Sequence, residues 1–210
     1  MIDWHSDSIA AGRCNQDRLH VVEHASTVVA ILADGAGGTG DGAAAAEAAV
    51  TFCATAARRE PPASALECVE LLRAADQLVL DNTAGGETTL IVAVVANGEV
   101  YGASVGNSIA WIVPDKDDPV DLTRHQRRRP FIGSGSATPV AFVPMRCSGS
   151  LVLASDGVCD YLPYAHFVAD LRGHHPTEAV ATVFASLRQR HRNLPDDASL
   201  LVLRTRAQSR

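Results

Sequence analysis

The chain has 210 residues, 47% hydrophobic and 20% charged, proportions that suit one folded domain and exclude wholesale disorder. Its formal net charge of -6 is the wrong sign for a general nucleic-acid binder. Its longest purely apolar run, Leu90 to Ala96, falls far short of the roughly 20 residues that span a bilayer. Aromatic residues make up only 5%, so the core must rest on Ala, Val, Leu and Ile. The opening Met1-Ile2-Asp3-Trp4-His5 lacks a basic stretch followed by an apolar one, so no signal peptide is expected. The five cysteines (Cys14, Cys53, Cys68, Cys147 and Cys159) are odd in number and form no Cys-x-x-Cys pair. The expectation is reduced thiols in a cytoplasmic protein, without a zinc site.

In chain order, Arg18 to Val22 and Thr27 to Ala33 read as strands, the second a β-branched apolar run. Gly42 to Arg59 is Ala-rich and helical until Pro61-Pro62 stops it. A second helix is expected from Ser64 to Leu80, with Ser64 as N-cap and Glu67 completing a capping-box pattern. Thr88 to Ala96 and Glu99 to Val105 read as a hairpin, because Asn97-Gly98 suits a turn that needs positive φ at both residues. Ile109 to Val113 is a further strand, ended by the polar turn Asp115 to Asp118. Thr123 to Met145 reads as irregular and carries Arg124, Arg127, Arg128 and Arg129. Leu151 to Ala154 is a short buried strand, Tyr164 to Leu171 and Thr177 to Arg192 are helical, and Ser199 to Leu203 is a final strand. Hairpins interrupted by helix pairs, without βαβ alternation, indicate layers of sheet and helix rather than a doubly wound parallel sheet.

Acidic residues recur at the ends of these strands. Thr27 to Ala33 leads into Asp34-Gly35, Leu151 to Ser155 leads into Asp156-Gly157, and Asp196-Asp197 precedes the last strand. Asp17 sits just before the first. A single Asp-Gly is usually a turn, since Gly lets the backbone bend sharply. Several carboxylates at one sheet edge would repel one another unless a cation neutralised them, and all-oxygen ligation favours Mg2+ or Mn2+. Spacing alone leaves both readings open.

The motifs carry a resemblance. Asp34-Gly35-Ala36-Gly37-Gly38 is similar to the Asp-Gly-x-Gly-Gly element of the metal-dependent protein phosphatases of the 2C type. Gly86-Glu87-Thr88-Thr89 and Val105-Gly106-Asn107-Ser108 resemble the paired central motifs. Leu153-Ala154-Ser155-Asp156-Gly157 resembles the Leu-x-Ser-Asp-Gly element. Asp196-Asp197-Ala198-Ser199 resembles the final Asp-Asn-x-Thr, and Asn15-Gln16-Asp17 the opening Asn-Glu-Asp. These motifs occur in the family's order, from Arg13 to Ser199.

The resemblance implies an α+β fold: a four-layer αββα sandwich of two antiparallel sheets flanked by helix pairs, with residues 1–210 as one catalytic domain of a small bacterial-like member. It implies a centre of two ions, Mn2+ or Mg2+, in the cleft between the sheets. Asp34 would bridge both ions, the Gly35 carbonyl would bind the second, Asp156 and Asp196 would hold the first, and Asp17 would orient metal-bound water. The implied reaction is hydrolysis of phosphoserine or phosphothreonine in a phosphoprotein by a metal-bridging hydroxide. A cytoplasmic monomer is expected, with neither nucleic acid nor membrane as partner.

The chain departs from the family at four positions. Arg13, the expected phosphate-binding residue, stands two residues before Asn15 where the family often has its Arg three before. Gln16 replaces a Glu, which weakens anchoring of second-metal water. Ala36 stands where some members carry a His proposed as general acid, and Asn107 replaces an Asp that helps bind a third ion, so a weak or absent third site is expected. Any flap is small, because the linker before Ser155-Asp156 is short. These departures also admit a second reading, a catalytically weak relative that binds a phosphoprotein or partner.

Other features read as ordinary. Gly35-x-Gly37-x-x-Gly40 formally matches the dinucleotide fingerprint, but Asp34 would repel a pyrophosphate and the downstream βαβ pattern is missing. Gly133-Ser134-Gly135-Ser136 lacks the Gly-x-Ser-x-Gly spacing of a nucleophile elbow. None of the eight histidines has metal-ligand spacing with the acids.

Overall fold

The computed structural model describes residues 2–36 and 41–205. Gly37, Gly38 and Gly40 of the glycine-rich motif lie outside the described residues, as does Met1. In chain order the elements are β1 (Ile2–Ile9), β2 (Arg18–His24), β3 (Thr27–Ala33), α1 (Gly42–Arg59) and α2 (Ala65–Asn82). There follow β4 (Leu90–Ala96), β5 (Glu99–Val105), β6 (Ile109–Val113), β7 (Val120–Asp121), β8 (Val140–Arg146) and β9 (Ser150–Ala154). The remainder is α3 (Asp156–Cys159), α4 (Tyr164–Leu171), α5 (Pro176–Arg190) and β10 (Ala198–Thr205). One sheet has the order β1-β10-β9-β6-β7 and the other β2-β3-β4-β5-β8, every pairing antiparallel.

Side-chain alternation assigns each residue of β3 to one of two cores. Val28, Ala30 and Leu32 meet Ile112, Leu151, Leu153, Leu201 and Leu203 between the sheets. Val29, Ile31 and Ala33 point the other way, into a core with Ala45, Ala49 and Cys53 of α1 and Leu72 and Val79 of α2. On the far side, Val152, Leu200 and Val202 pack against Phe167 of α4 and Val180, Phe184 and Leu187 of α5. The result is the four-layer αββα sandwich, and it explains why β3, β9 and β10 are apolar at every central position: both faces are covered.

Local chemistry sets the element ends. The Asp41 side chain accepts from the Ala44 N–H at 3.0 Å and caps α1. Ser64 caps α2 through the Glu67 N–H, while the Glu67 carboxylate reaches back one residue further than a capping box requires, to the Ala63 N–H at 2.8 Å. α5 begins on Pro176, one residue before the expected Thr177, because a missing N–H is harmless at a first helical position. Asn97 and Gly98 turn the β4–β5 hairpin at φ 53 and 79.

Three strands were not legible as such, the two-residue β7 among them. β1 is an edge strand paired with β10, and its polar residues Asp3, His5, Ser6 and Asp7 mask its extended character. β8 lies within the stretch expected to be irregular; it is also an edge strand, which is where Pro144, having no N–H, is tolerated. No helix among the described residues is long and apolar enough to cross a membrane. All five cysteines are free, and burial pushes the Cys68 and Cys159 thiols up to about 12.

The β2–β3 turn contains one strained residue. Ala25 has φ 53 in the two-residue loop between His24 and Thr27. A left-handed L-residue costs about 1–2 kcal/mol, and glycine gives back about 0.5–1 kcal/mol of that through its looser unfolded chain. Ala25→Gly should therefore raise the unfolding free energy by about 0.5–1 kcal/mol. A higher urea midpoint at unchanged slope is the expected reading; an unchanged or lower midpoint would show that the turn stores no strain.

Candidate metal centre

The strand registers bring the acids together. Arg18 pairs with Ala33, so Asp17 and Asp34 are the next residues on adjacent strands. Leu200 pairs with Ala154, which sets Asp156 beside the start of β10 and hence beside Asp196-Asp197. Ile109 also pairs with Ala154, which brings Asn107 to the same end of that sheet. Asp34, Gly35, Asn107, Asp156, Asp196 and Asp197 line one pocket of about 460 Å³.

The paired central motifs hold the acids in place. The Asp34 N–H donates to Thr89 Oγ1 at 3.0 Å, and the Asp34 carbonyl accepts from the Thr89 N–H at 2.8 Å and Thr88 Oγ1 at 2.9 Å. Asn107 Nδ2 donates to Asp156 Oδ2 at 2.6 Å. Asp17 is buried, and its Oδ2 accepts from Ser155 Oγ at 2.9 Å. Asp197 serves as a clamp: its two oxygens accept the Ala11 and Gln16 N–H groups at 2.7 and 2.6 Å and fasten the loop that lies over the pocket.

The glycines that follow Asp34 and Asp156 are needed for close approach rather than for bending. A Cβ on Gly157 would stand 1.9 Å from the Asp197 carbonyl oxygen, and one on Gly35 would stand 2.5 Å from that of Gly42. The first contact seats the Asp156 turn against Asp197; the second seats the Asp34 turn against the start of α1.

These acids are crowded. Burial pushes Asp34 up to about 9, reinforced by the charges of Asp17, Asp156 and Asp196. Burial also raises Asp17 to about 7, aided by Asp197 and opposed by the Ser199 and Ser155 hydroxyls. Asp156 is raised by burial and by Asp196, and the Asn107 amide works against that shift. Such a set needs protons or a cation. Asp17 Oδ1 is buried without a hydrogen-bonding donor, and the donors in the cluster are hard carboxylate oxygens, so the residues fit Mg2+ or Mn2+. Among the described residues no three His, Cys, Asp or Glu side chains already converge as a ligating set. Two of the acids are instead held by neutral donors, Asp156 by Asn107 and Asp17 by Ser155, while Asp196 Oδ1 accepts the Asp197 N–H.

The structure thus brings together Asp17, Asp34, Gly35, Asp156 and Asp196. Arg13 is exposed and outside the pocket wall, although its neighbours Gly12 and Cys14 line it. Gln16 and Ala36 line the pocket as well. Sequence reading missed the clamp role of Asp197 and the place of Arg129 in the wall. Asp197 was visible only as a second acid beside Asp196, and Arg129 only as one of a basic run.

The sequence model of the family described as Stage II sporulation protein E (SpoIIE) matches residues 24–206, most of the chain. The chain belongs to the SpoIIE family. The match covers Asp34, Asp156 and Asp196; Asp17 lies before it. Comparison with curated protein sequences returns no match. Among solved structures, the serine/threonine phosphatase Stp1 of Staphylococcus aureus superposes with a TM-score of 0.82 at 15% identity, over 98% of this chain and 95% of that one. The Mycobacterium tuberculosis serine/threonine phosphatase PstP/Ppp gives 0.82 at 16% identity, over 98% and 99%. A PstP catalytic domain in complex with two manganese ions gives 0.81 at 17% identity, over 97% of each chain. At these identities the likeness establishes a shared fold, so this SpoIIE-family member has the sandwich of those phosphatases.

The raised carboxylates give a signed pH dependence. Asp34 and Asp17 sit above the unfolded carboxylate value of 3.8, so the protonated form is favoured by folding. Their stabilising contribution is complete below that value and is lost as pH rises through about 7 and about 9. In chelator, the melting temperature should fall by several degrees between pH 5 and pH 8, and Asp34→Asn should flatten the curve. A melting temperature that rises over this interval, or an Asp34→Asn profile identical to the parent's, would contradict the crowding.

Proposed function

We propose that this chain is a metal-dependent protein serine/threonine phosphatase. The observation that carries the reading is the cluster around Asp34, in which Asp17, Asp156 and Asp196 each hold up its pKa at the mouth of a pocket between two sheets. SpoIIE-family membership and the fold shared with Stp1 and PstP support it. Asp34 and the Gly35 carbonyl, with Asp156 and Asp196, would hold two ions, Mn2+ or Mg2+. Bound there, these ions would supply positive charge to a phosphoryl group and a lowered pKa to water.

The chain's own residues do the rest. Thr88 and Thr89 fix the Asp34 backbone, the point from which its carboxylate projects. Asp17, buried and held by Ser155, would orient water at the centre. Asp197 holds the 11–16 loop over the pocket. Residues 1–210 would act as one catalytic domain, a cytoplasmic monomer whose substrate is a phosphoprotein. The electrostatic reach of Asp17, Asp156 and Asp196 to Asp34 supports an enzyme over a binding module.

Hydrolysis of an aryl phosphate should require added Mn2+ or Mg2+ and stop in chelator. Asp34→Asn should lower turnover by more than about 100-fold, the upper range for loss of an outer-sphere partner alone. Robust turnover by Asp34→Asn, or undiminished turnover in chelator, would overturn the assignment.

A further inference from the structure

Among the described residues, the pocket wall contains a single positively charged side chain, Arg129. Its guanidinium stands 4.7 Å from the centroid of the Phe131 ring, which is also part of the wall. Stacking on a π-face positions a cation without neutralising it. Arg129 closes a run that places four arginines within six residues: Arg124, Arg127, Arg128 and Arg129. All four are exposed, and none belongs to an ion pair among the described residues. On a chain of net charge -6 this concentration of unpaired positive charge is local and lies against the acidic pocket.

The run is fastened to the site at both ends. The Arg127 carbonyl accepts the Gly106 N–H at 3.1 Å, and Gln126 Nε2 donates to the Ser108 carbonyl at 2.7 Å, so the residues on either side of Asn107 hold its first half. Beyond Arg129 and Phe131, Ile132 and Thr88 exchange backbone hydrogen bonds at 3.0 Å, next to the threonines that grip Asp34. The arginines therefore have a fixed place beside the pocket rather than hanging from a free loop.

We propose that residues 124–129 form a docking rim that selects phosphoproteins with acidic residues flanking the phosphorylated Ser or Thr, with Arg129 contacting the phosphate itself. The proposal rests on the phosphoprotein reading given above. The pocket's own carboxylates repel an acidic peptide, so a chain that accepts one needs compensating charge at the entrance, and the arginine run supplies it. Exposed ion pairs are individually weak, so the effect arises from several arginines acting together.

The test uses the full chain with Mn2+ and two phosphoserine peptides of equal length, one flanked by glutamates and one by glutamines. Both kcat/KM and Kd, the latter by fluorescence anisotropy, are measured. The acidic peptide should be favoured by about five- to tenfold, mainly through KM, and the ratio should shrink between about 50 and about 500 mM NaCl. Arg127→Ala with Arg128→Ala should remove the ratio, and Arg127→Glu with Arg128→Glu should invert it. Arg129→Ala should raise KM for both peptides, with partial rescue by Arg129→Lys. A ratio near one in the parent, or an unchanged ratio in the charge-reversed variant, overturns the rim. Peptides bound in this ratio without hydrolysis would sink the phosphatase reading and leave the rim standing. Hydrolysis without the ratio would do the reverse, and neither binding nor hydrolysis would sink both.

Discussion

Repulsion among four carboxylates is the constraint around which this molecule is organised. Asp17, Asp34, Asp156 and Asp196 come from four separate places in the chain, and the charges of the other three raise the affinity of buried Asp34 for a proton. Two stacked sheets force them together, because the strand registers set Asp17 beside Asp34 and Asp156 beside Asp196. The neighbouring donors are neutral: threonine and serine hydroxyls, an asparagine amide and backbone N–H groups. They hold the acids without cancelling their charge.

The sandwich and the acids were readable in the sequence because they depend on local signals. Both-face burial of β3, β9 and β10 leaves continuous apolar runs, and the Asn97-Gly98 turn needs positive φ. Among the edge strands β2 was readable over Arg18 to Val22, whereas β1 and β8, neither fully apolar nor cleanly alternating, take their place from their partners β10 and β5. Asp34, Asp156 and Asp196 stood out as strand-end acids. The use of Gly157 to seat one acid turn against another could not be read locally, since the Asp197 carbonyl it meets lies far along the chain. Nor could the direction of Arg129, which depends on the ring of Phe131 and on the loop's ties to Gly106, Ser108 and Thr88. Arg13 is exposed between Gly12 and Cys14, which line the pocket, and is not itself part of the wall.

The identities of 15–17% with Stp1 and PstP, at TM-scores of 0.81 and 0.82, show how little of the fold depends on particular side chains. Small apolar residues at the right period suffice for the layers. Ala30, Ala33, Ala45, Ala49 and Ala93 are fully buried, so α1 and the sheets approach closely with almost no aromatic content between them. The constraint on sequence is concentrated at the strand ends, where a carboxylate, a hydroxyl or a missing Cβ has no substitute.

The hydrogen bonds that complete the centre span long stretches of chain: 138 residues from Ser155 to Asp17 and 186 from Ala11 to Asp197. The acids meet only where both sheets are in place, because Asp17 and Asp34 adjoin one sheet and Asp156 and Asp196 the other. The electrostatic burden therefore falls on the completed molecule and not on its folding nucleus. Its relief by a bound cation would accordingly appear as slower unfolding, with the refolding rate scarcely altered.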